Sequence, residues 1–121
     1  IHSDAAPKAV GPYSQAMDIG SLVYCSGQIS IDPASNEVLK GSVKDQTEQV
    51  MKNINAVLQA AGLDFSNVVK TTIFLTDMND FATVNEIYAS YFKPPYPARS
   101  TIAVAGLPKG VNVEIEVTAA R

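Results

Sequence analysis

Between Val43 and Ala61 the apolar residues recur at helical spacing. Val43, Val50, Met51, Ile54, Val57, Leu58 and Ala61 make one broad stripe. Ser42 stands where an N-cap is wanted, Asp45 favours the first turn, and Gly62 supplies a left-handed stop. Upstream the period is two. Tyr13 to Asp18 and Leu22 to Ser26 alternate on either side of Ile19-Gly20-Ser21, which predicts a hairpin. Asp32 to Asn36 reads as a turn before a short extended piece at Glu37-Val38-Leu39. Asn67 to Thr76 predicts a strand with Val69, Ile73 and Leu75 on one face and Val68 and Phe74 on the other. Both faces are largely apolar, so both are expected to be covered.

Asp77 to Asp80 then reads as the capping stretch of a second helix, Phe81 to Phe92. Its stripe is Phe81, Val84, Ile87, Tyr88, Tyr91 and Phe92, and Pro94-Pro95 forbids continuation. Arg99 to Ala105 and Val111 to Ala119 predict two last strands, joined by a turn at Leu107 to Gly110. The expected class is α/β (α+β): one domain over residues 1–121, with a single mixed sheet of about six strands and two helices on one face. Residues 1–10 are small and polar and read as a flexible N-terminal arm. Two helices cover one face of such a sheet, so the other, with Val68 and Phe74, is left bare. A bare apolar face predicts a closed homo-oligomer with clefts between subunits.

Composition narrows the function. With 121 residues, 46% of them hydrophobic, the chain is one domain long enough for a real core. A net charge of −3 and nine scattered basic residues argue against a nucleic-acid binder working through a basic patch. A single cysteine, Cys25, excludes an internal disulfide and a cysteine metal cluster, and points to a reducing compartment. The only histidine, His2, lies in the arm, which rules out a histidine-centred metal site and a Ser-His-Asp set. No glycine loop cradles phosphates, and no apolar run reaches the roughly 18–20 residues of a membrane span. Neither metal nor organic cofactor is expected.

The candidate chemistry centres on Arg99, set between rigid Pro97 and a β-branched run (Thr101, Ile102, Val104). A planar guanidinium there suits bidentate capture of a small carboxylate; the alternative is a structural ion pair. Glu114 and Glu116 share a strand face, since side chains alternate. A carboxylate beside a cation can orient water or take a proton; the alternative is a solvated polar face, and the residues alone do not choose. Tyr13, after Gly11-Pro12, offers a phenol or caps the core. Gly27 leaves backbone open to a ligand or forms a bulge. Asn85 lies beside the apolar stripe of the second helix and faces either solvent or a site. Cys25 reads as buried and inert.

Several segments recur together and in order: Gly11-Pro12-Tyr13-Ser14-Gln15-Ala16, Ser26-Gly27-Gln28-Ile29, Asn67-Val68-Val69-Lys70, Asn79-Asp80-Phe81, Val84-Asn85, Tyr91-Phe92, Pro97-Ala98-Arg99-Ser100 and Leu107-Pro108-Lys109-Gly110. From about Ala6 to its end the chain closely resembles the RidA (YjgF) family of imine and enamine deaminases. The resemblance implies a chorismate-mutase-like fold and a homotrimer with three clefts between subunits. It implies hydrolysis of short 2-imino acids (2-iminopropanoate, 2-iminobutanoate), released by pyridoxal-phosphate dehydratases, to 2-oxo acids and ammonia. It makes Arg99 the carboxylate anchor and Glu114 the water-orienting acid, with Tyr13, Gly27 and Asn85 at binding positions. At Thr101, a further binding position, many members carry Cys, so here a hydroxyl replaces the thiol and is expected to donate a hydrogen bond. No cofactor, nucleic acid or membrane is implied. The location expected is cytosol or mitochondrial matrix, a cleaved targeting segment being one account of Ile1 at the start. Two alternatives stand beside it: a non-catalytic module that binds 2-oxo acids, and a ribonuclease or translation inhibitor.

Overall fold

A computed structural model describes every residue from Ile1 to Arg121. The strands are β1 (Ala16–Asp18), β2 (Leu22–Cys25), β3 (Ile31–Asp32), β4 (Glu37–Val38), β5 (Val68–Leu75), β6 (Ala98–Ala103) and β7 (Val113–Ala120). The helices are α1 (Val43–Ala60) and α2 (Phe81–Ala89). Five strands form the main sheet in the order β1-β2-β7-β5-β6. Only β5 and β6 run parallel; the other neighbours are antiparallel. The architecture is α+β, with one main sheet and two helices on a single face.

The single sheet of about six strands expected above is therefore five strands plus a separate hairpin, β3-β4. A helix side chain holds that hairpin apart. Asn53 of α1 donates to the carbonyls of Ile29 (3.2 Å) and Ile31 (2.9 Å), tying β3 to the helix instead of to a sheet edge.

Helix α1 forms where its stripe and caps dictate. The Ser42 hydroxyl accepts from the Asp45 amide at 3.1 Å, and Gly62 turns the chain out at φ 75°. Its stripe (Val50, Met51, Ile54, Leu58) packs with Val84 and Tyr88 of α2 onto Ile73 and Leu75 of β5 and Val113, Ile115 and Val117 of β7. Each such side chain contributes about 1.5–3 kcal/mol by leaving water. Helix α2 is shorter than its stripe predicts. After Ala89 the amides of Ser90, Tyr91 and Phe92 bond three residues back, tightening the chain ahead of Pro94. Tyr91 and Phe92 still pack inward, each against Phe65.

The face assignment of β5 needs one correction. A bulge between Val68 and Lys70 turns Val68 into the helix-covered core, 6% exposed, and puts Val69 outside at 45%. Phe74 does lie on the open face, where no layer of this chain covers it. Paired with it across the ladders are Ile102 and Glu114, and Met17 and Tyr24 stand opposite each other farther along. The first ten residues, read as a flexible arm, make specific contacts. The buried Gln15 amide accepts from Ser3 N (2.7 Å) and donates to the carbonyls of Ser3 (3.0 Å) and Pro7 (2.8 Å).

Candidate functional site

The ladders decide where each candidate side chain goes. Arg99, on edge strand β6, is level with Thr71 of β5 and therefore on the helix-covered side of the sheet. Helix α2 runs beside it and offers Phe81, Asn85 and Tyr88 at positions i, i+4 and i+7, which is one side of a helix. Arg99 Nη1 donates to Asn85 Oδ1 at 2.6 Å. Its guanidinium carbon lies 5.0 Å from the Tyr88 ring centroid and 5.6 Å from that of Phe81. Tyr88, Ala89, Tyr96 and Pro97 complete a cleft of about 390 Å³ beside it.

No acid of the chain pairs with this cation. The two acid–base contacts are Arg121 with Asp18 and His2 with Asp4. Asn85 takes one of the five N–H donors of the guanidinium, which leaves four for an incoming anion. Bidentate geometry toward a carboxylate is what such a fork provides.

Glu114 lies on the other side of the sheet, level with Phe74. It lines a second cleft of about 560 Å³ together with Tyr13, Gly27, Gln28, Lys109 and Glu116. Burial raises the pKa of Glu114, and the neighbouring negative charge of Glu116 adds to the rise. The Gln28 amide and carbonyl pair with Ile115, which fixes Gly27 against the strand that carries Glu114. Tyr13 is half exposed, and its hydroxyl accepts from Val10 N at 3.3 Å. Lys109 is held at φ 58°, a backbone conformation costly for a residue with a side chain.

Within one chain the candidates thus fall into two groups. Arg99 and Asn85 share the first cleft; Tyr13, Gly27 and Glu114 share the second. Thr101 lines neither, and its buried Oγ1 has no hydrogen-bond partner. Cys25 is half-buried, and burial pushes its thiol up to about 11, well above a reactive value. Phe81 and Tyr88 were legible only as core stripe. Their spacing from Asn85 was the available signal, because it puts all three on one side of α2.

The family model described as endoribonuclease L-PSP matches residues 3–121. Protein DfrA of Myxococcus xanthus is 57% identical over 121 residues, covering 98% of this chain and 92% of the relative. The 2-iminobutanoate/2-iminopropanoate deaminase of Homo sapiens is 52% identical over 119 residues, covering 98% and 87%. The crystal structure of TdcF from E. coli, with bound serine, superimposes with a TM-score of 0.94 at 45% identity, covering 100% of this chain and 97% of that one. With the match running through nearly its whole length, this chain belongs to the RidA (YjgF) family, whose model carries the endoribonuclease L-PSP description.

Proposed function

We propose that this protein hydrolyses short 2-imino acids, 2-iminopropanoate and 2-iminobutanoate, to 2-oxo acids and ammonia. The observation that carries the reading is Arg99: a guanidinium without an acid partner, held by Asn85 and two rings beside a cleft. A 2-imino acid carries its carboxylate next to the reacting carbon, so an anchor on the carboxylate also places the C=N bond. The deaminase name of the human relative and the serine bound in TdcF both fit a small ligand with a carboxylate on C1.

Arg99 and Glu114 lie on opposite sides of one sheet, so the reading includes a second copy of the chain. In a homotrimer the Arg99 cleft of one subunit meets the Glu114 cleft of its neighbour. The open face, with Tyr24 at 49% and Ile102 at 45% exposed, is then covered. The chemistry needs few parts. Glu114 takes a proton from water as its oxygen bonds to C2, and the C=N electron pair moves to nitrogen. Glu114 then delivers that proton to the nitrogen, giving a neutral carbinolamine. In the second half the hydroxyl proton passes through Glu114 to the amino nitrogen. The C–N bond breaks, C=O forms and ammonia leaves. Imines hydrolyse unaided, so holding the reactants in place supplies much of the gain, up to about 7–11 kcal/mol in favourable cases.

The test couples threonine dehydratase to this protein and follows 2-oxobutanoate. The wild type speeds its appearance, and Arg99→Ala returns the rate to that of the dehydratase alone. Saturable 2-oxobutanoate binding with no acceleration overturns the hydrolase in favour of a metabolite-binding module. The ribonuclease label of the family finds poor support in a chain of net charge −3.

A further inference from the structure

The guanidinium of Arg99 does not stand free in its cleft. Its carbon lies over the Tyr88 ring, 5.0 Å from the centroid, and Tyr88 is 4% exposed and part of the main core cluster. The Tyr88 phenol reaches the sheet, where its oxygen is 2.8 Å from Thr71 Oγ1 in a buried hydrogen bond. Thr71 is the residue directly beside Arg99 in the parallel ladder. The three groups thus close a triangle. Backbone pairing holds Arg99 next to Thr71, a hydroxyl pair holds Tyr88 to Thr71, and the Tyr88 ring holds the guanidinium.

We infer that Tyr88, locked by Thr71, is a positioning residue that fixes the plane of the Arg99 guanidinium for carboxylate capture. A long arginine side chain surrenders rotamer freedom when an anion immobilises it. A guanidinium already seated over a ring and bonded to Asn85 has lost part of that freedom before the ligand arrives. Binding is stronger by the part not lost again. Without the Thr71 bond the phenol lacks its partner and the ring is free to shift within the core, carrying the guanidinium with it. The ground state and the transition state share the carboxylate contact, so the loss shows in Kd and KM; a fork turned from its plane also misplaces the C=N bond, and kcat falls with it.

The inference rests on Arg99 as the carboxylate anchor. Its test therefore reads binding apart from turnover: calorimetric titration with 2-oxobutanoate, beside KM and kcat for the coupled imine and thermal unfolding of each variant. Thr71→Val keeps shape and removes the hydroxyl; Thr71→Ser keeps the hydroxyl and removes a methyl. The expected result is that Thr71→Val weakens 2-oxobutanoate binding and raises KM about 3- to 10-fold, while Thr71→Ser weakens them far less. Tyr88→Phe matches Thr71→Val, and the double variant is no worse than either single, because both remove one bond. Tyr88→Leu, which removes the ring, goes further, to about 10- to 30-fold. Unfolding temperatures that fall while Kd and KM stay at wild-type values in Thr71→Val and Tyr88→Phe overturn the inference, whatever the turnover shows. A wild type that binds 2-oxobutanoate without hydrolysing imines overturns the deaminase reading alone, and the order of binding constants still decides this one. A wild type that binds no 2-oxobutanoate overturns both.

Discussion

The Glu114 carboxylate fills the space that a side chain at position 27 would take. A Cβ built on Gly27 collides with Oε2 of Glu114 and stands 3.0 Å from its Cδ. Gly27 is therefore required for room and not for an unusual φ, since its backbone is outside the left-handed region that Gly11, Gly20, Gly62 and Gly110 occupy. The absence of one side chain on β2's exit lets the acid lie against the backbone of the loop.

Gly27→Ala tests that fit. The added methyl meets the end of a flexible side chain, so the fold accommodates it and the unfolding temperature changes little. The carboxylate moves by about an ångström, and a misplacement of that size costs about 10²-fold in kcat/KM. Steady-state kinetics beside thermal melting separate the two effects.

Arg99→Lys keeps the charge and removes the fork. Arg99 is exposed and outside both acid–base contacts, so losing its Asn85 bond and part of its contact with the two rings lowers stability by no more than about 1 kcal/mol. Imine hydrolysis falls to the uncatalysed rate, because an ammonium offers a point charge where two parallel bonds set the substrate's angle. Denaturant melts and the coupled assay read the two halves of this expectation.

The raised pKa of Glu114 fixes the sign of a pH effect. Its proton is held more tightly in the folded chain than in the unfolded one, by burial first and by Glu116 second. Stability from this group is complete below the ordinary glutamate value of about 4.3 and is lost as pH rises through the higher folded value. Glu114→Gln is therefore more stable than wild type at neutral pH, and the difference closes toward pH 4. Melting temperatures of both proteins across that range check it. Activity runs the other way: kcat/KM of the wild type rises with pH over the same limb, and the limb vanishes in the variant.

Gln15 joins the N-terminal arm to the wall of the Glu114 cleft, since Pro7, Val10 and Tyr13 line that cleft and Gln15 bonds Ser3 and Pro7. Gln15→Leu leaves the buried amide and carbonyl of Ser3 unpaired, at a cost of about 1–3 kcal/mol. The arm then opens locally. Faster hydrogen exchange at Ser3 and earlier proteolytic cutting before Tyr13 are the expected signs.

Ile102 tests the open face. Glutamate at this exposed edge-strand position places a charge where the proposed neighbour packs. Ile102→Glu is expected to run as a folded monomer in sedimentation and to lose imine hydrolysis. A wild type that is itself monomeric at micromolar concentration removes the composite site.

The sequence by itself determined the elements, because each rests on local chemistry. The α1 stripe, its Ser42 cap and its Gly62 stop are all within one run of residues, and the observed helix begins and ends there. Alternation named β2, β5, β6 and β7 for the same reason, with ends shifted by at most two residues. Arg99 and Glu114 stood out as a cation and an acid on late strands, and their family pattern gave them roles. Tertiary structure decided what no local rule contains. A bulge reversed Val68 and Val69, because one extra residue in a ladder flips every side chain beyond it. Asn53 pulled β3 out of the sheet through bonds made 22 and 24 residues away. Ladder register put Arg99 and Glu114 on opposite sides, and only packing of α2 on β5 brought Tyr88 under the guanidinium. Side-chain pattern reports which way a residue faces within its own element; which element it then meets is set by long-range pairing.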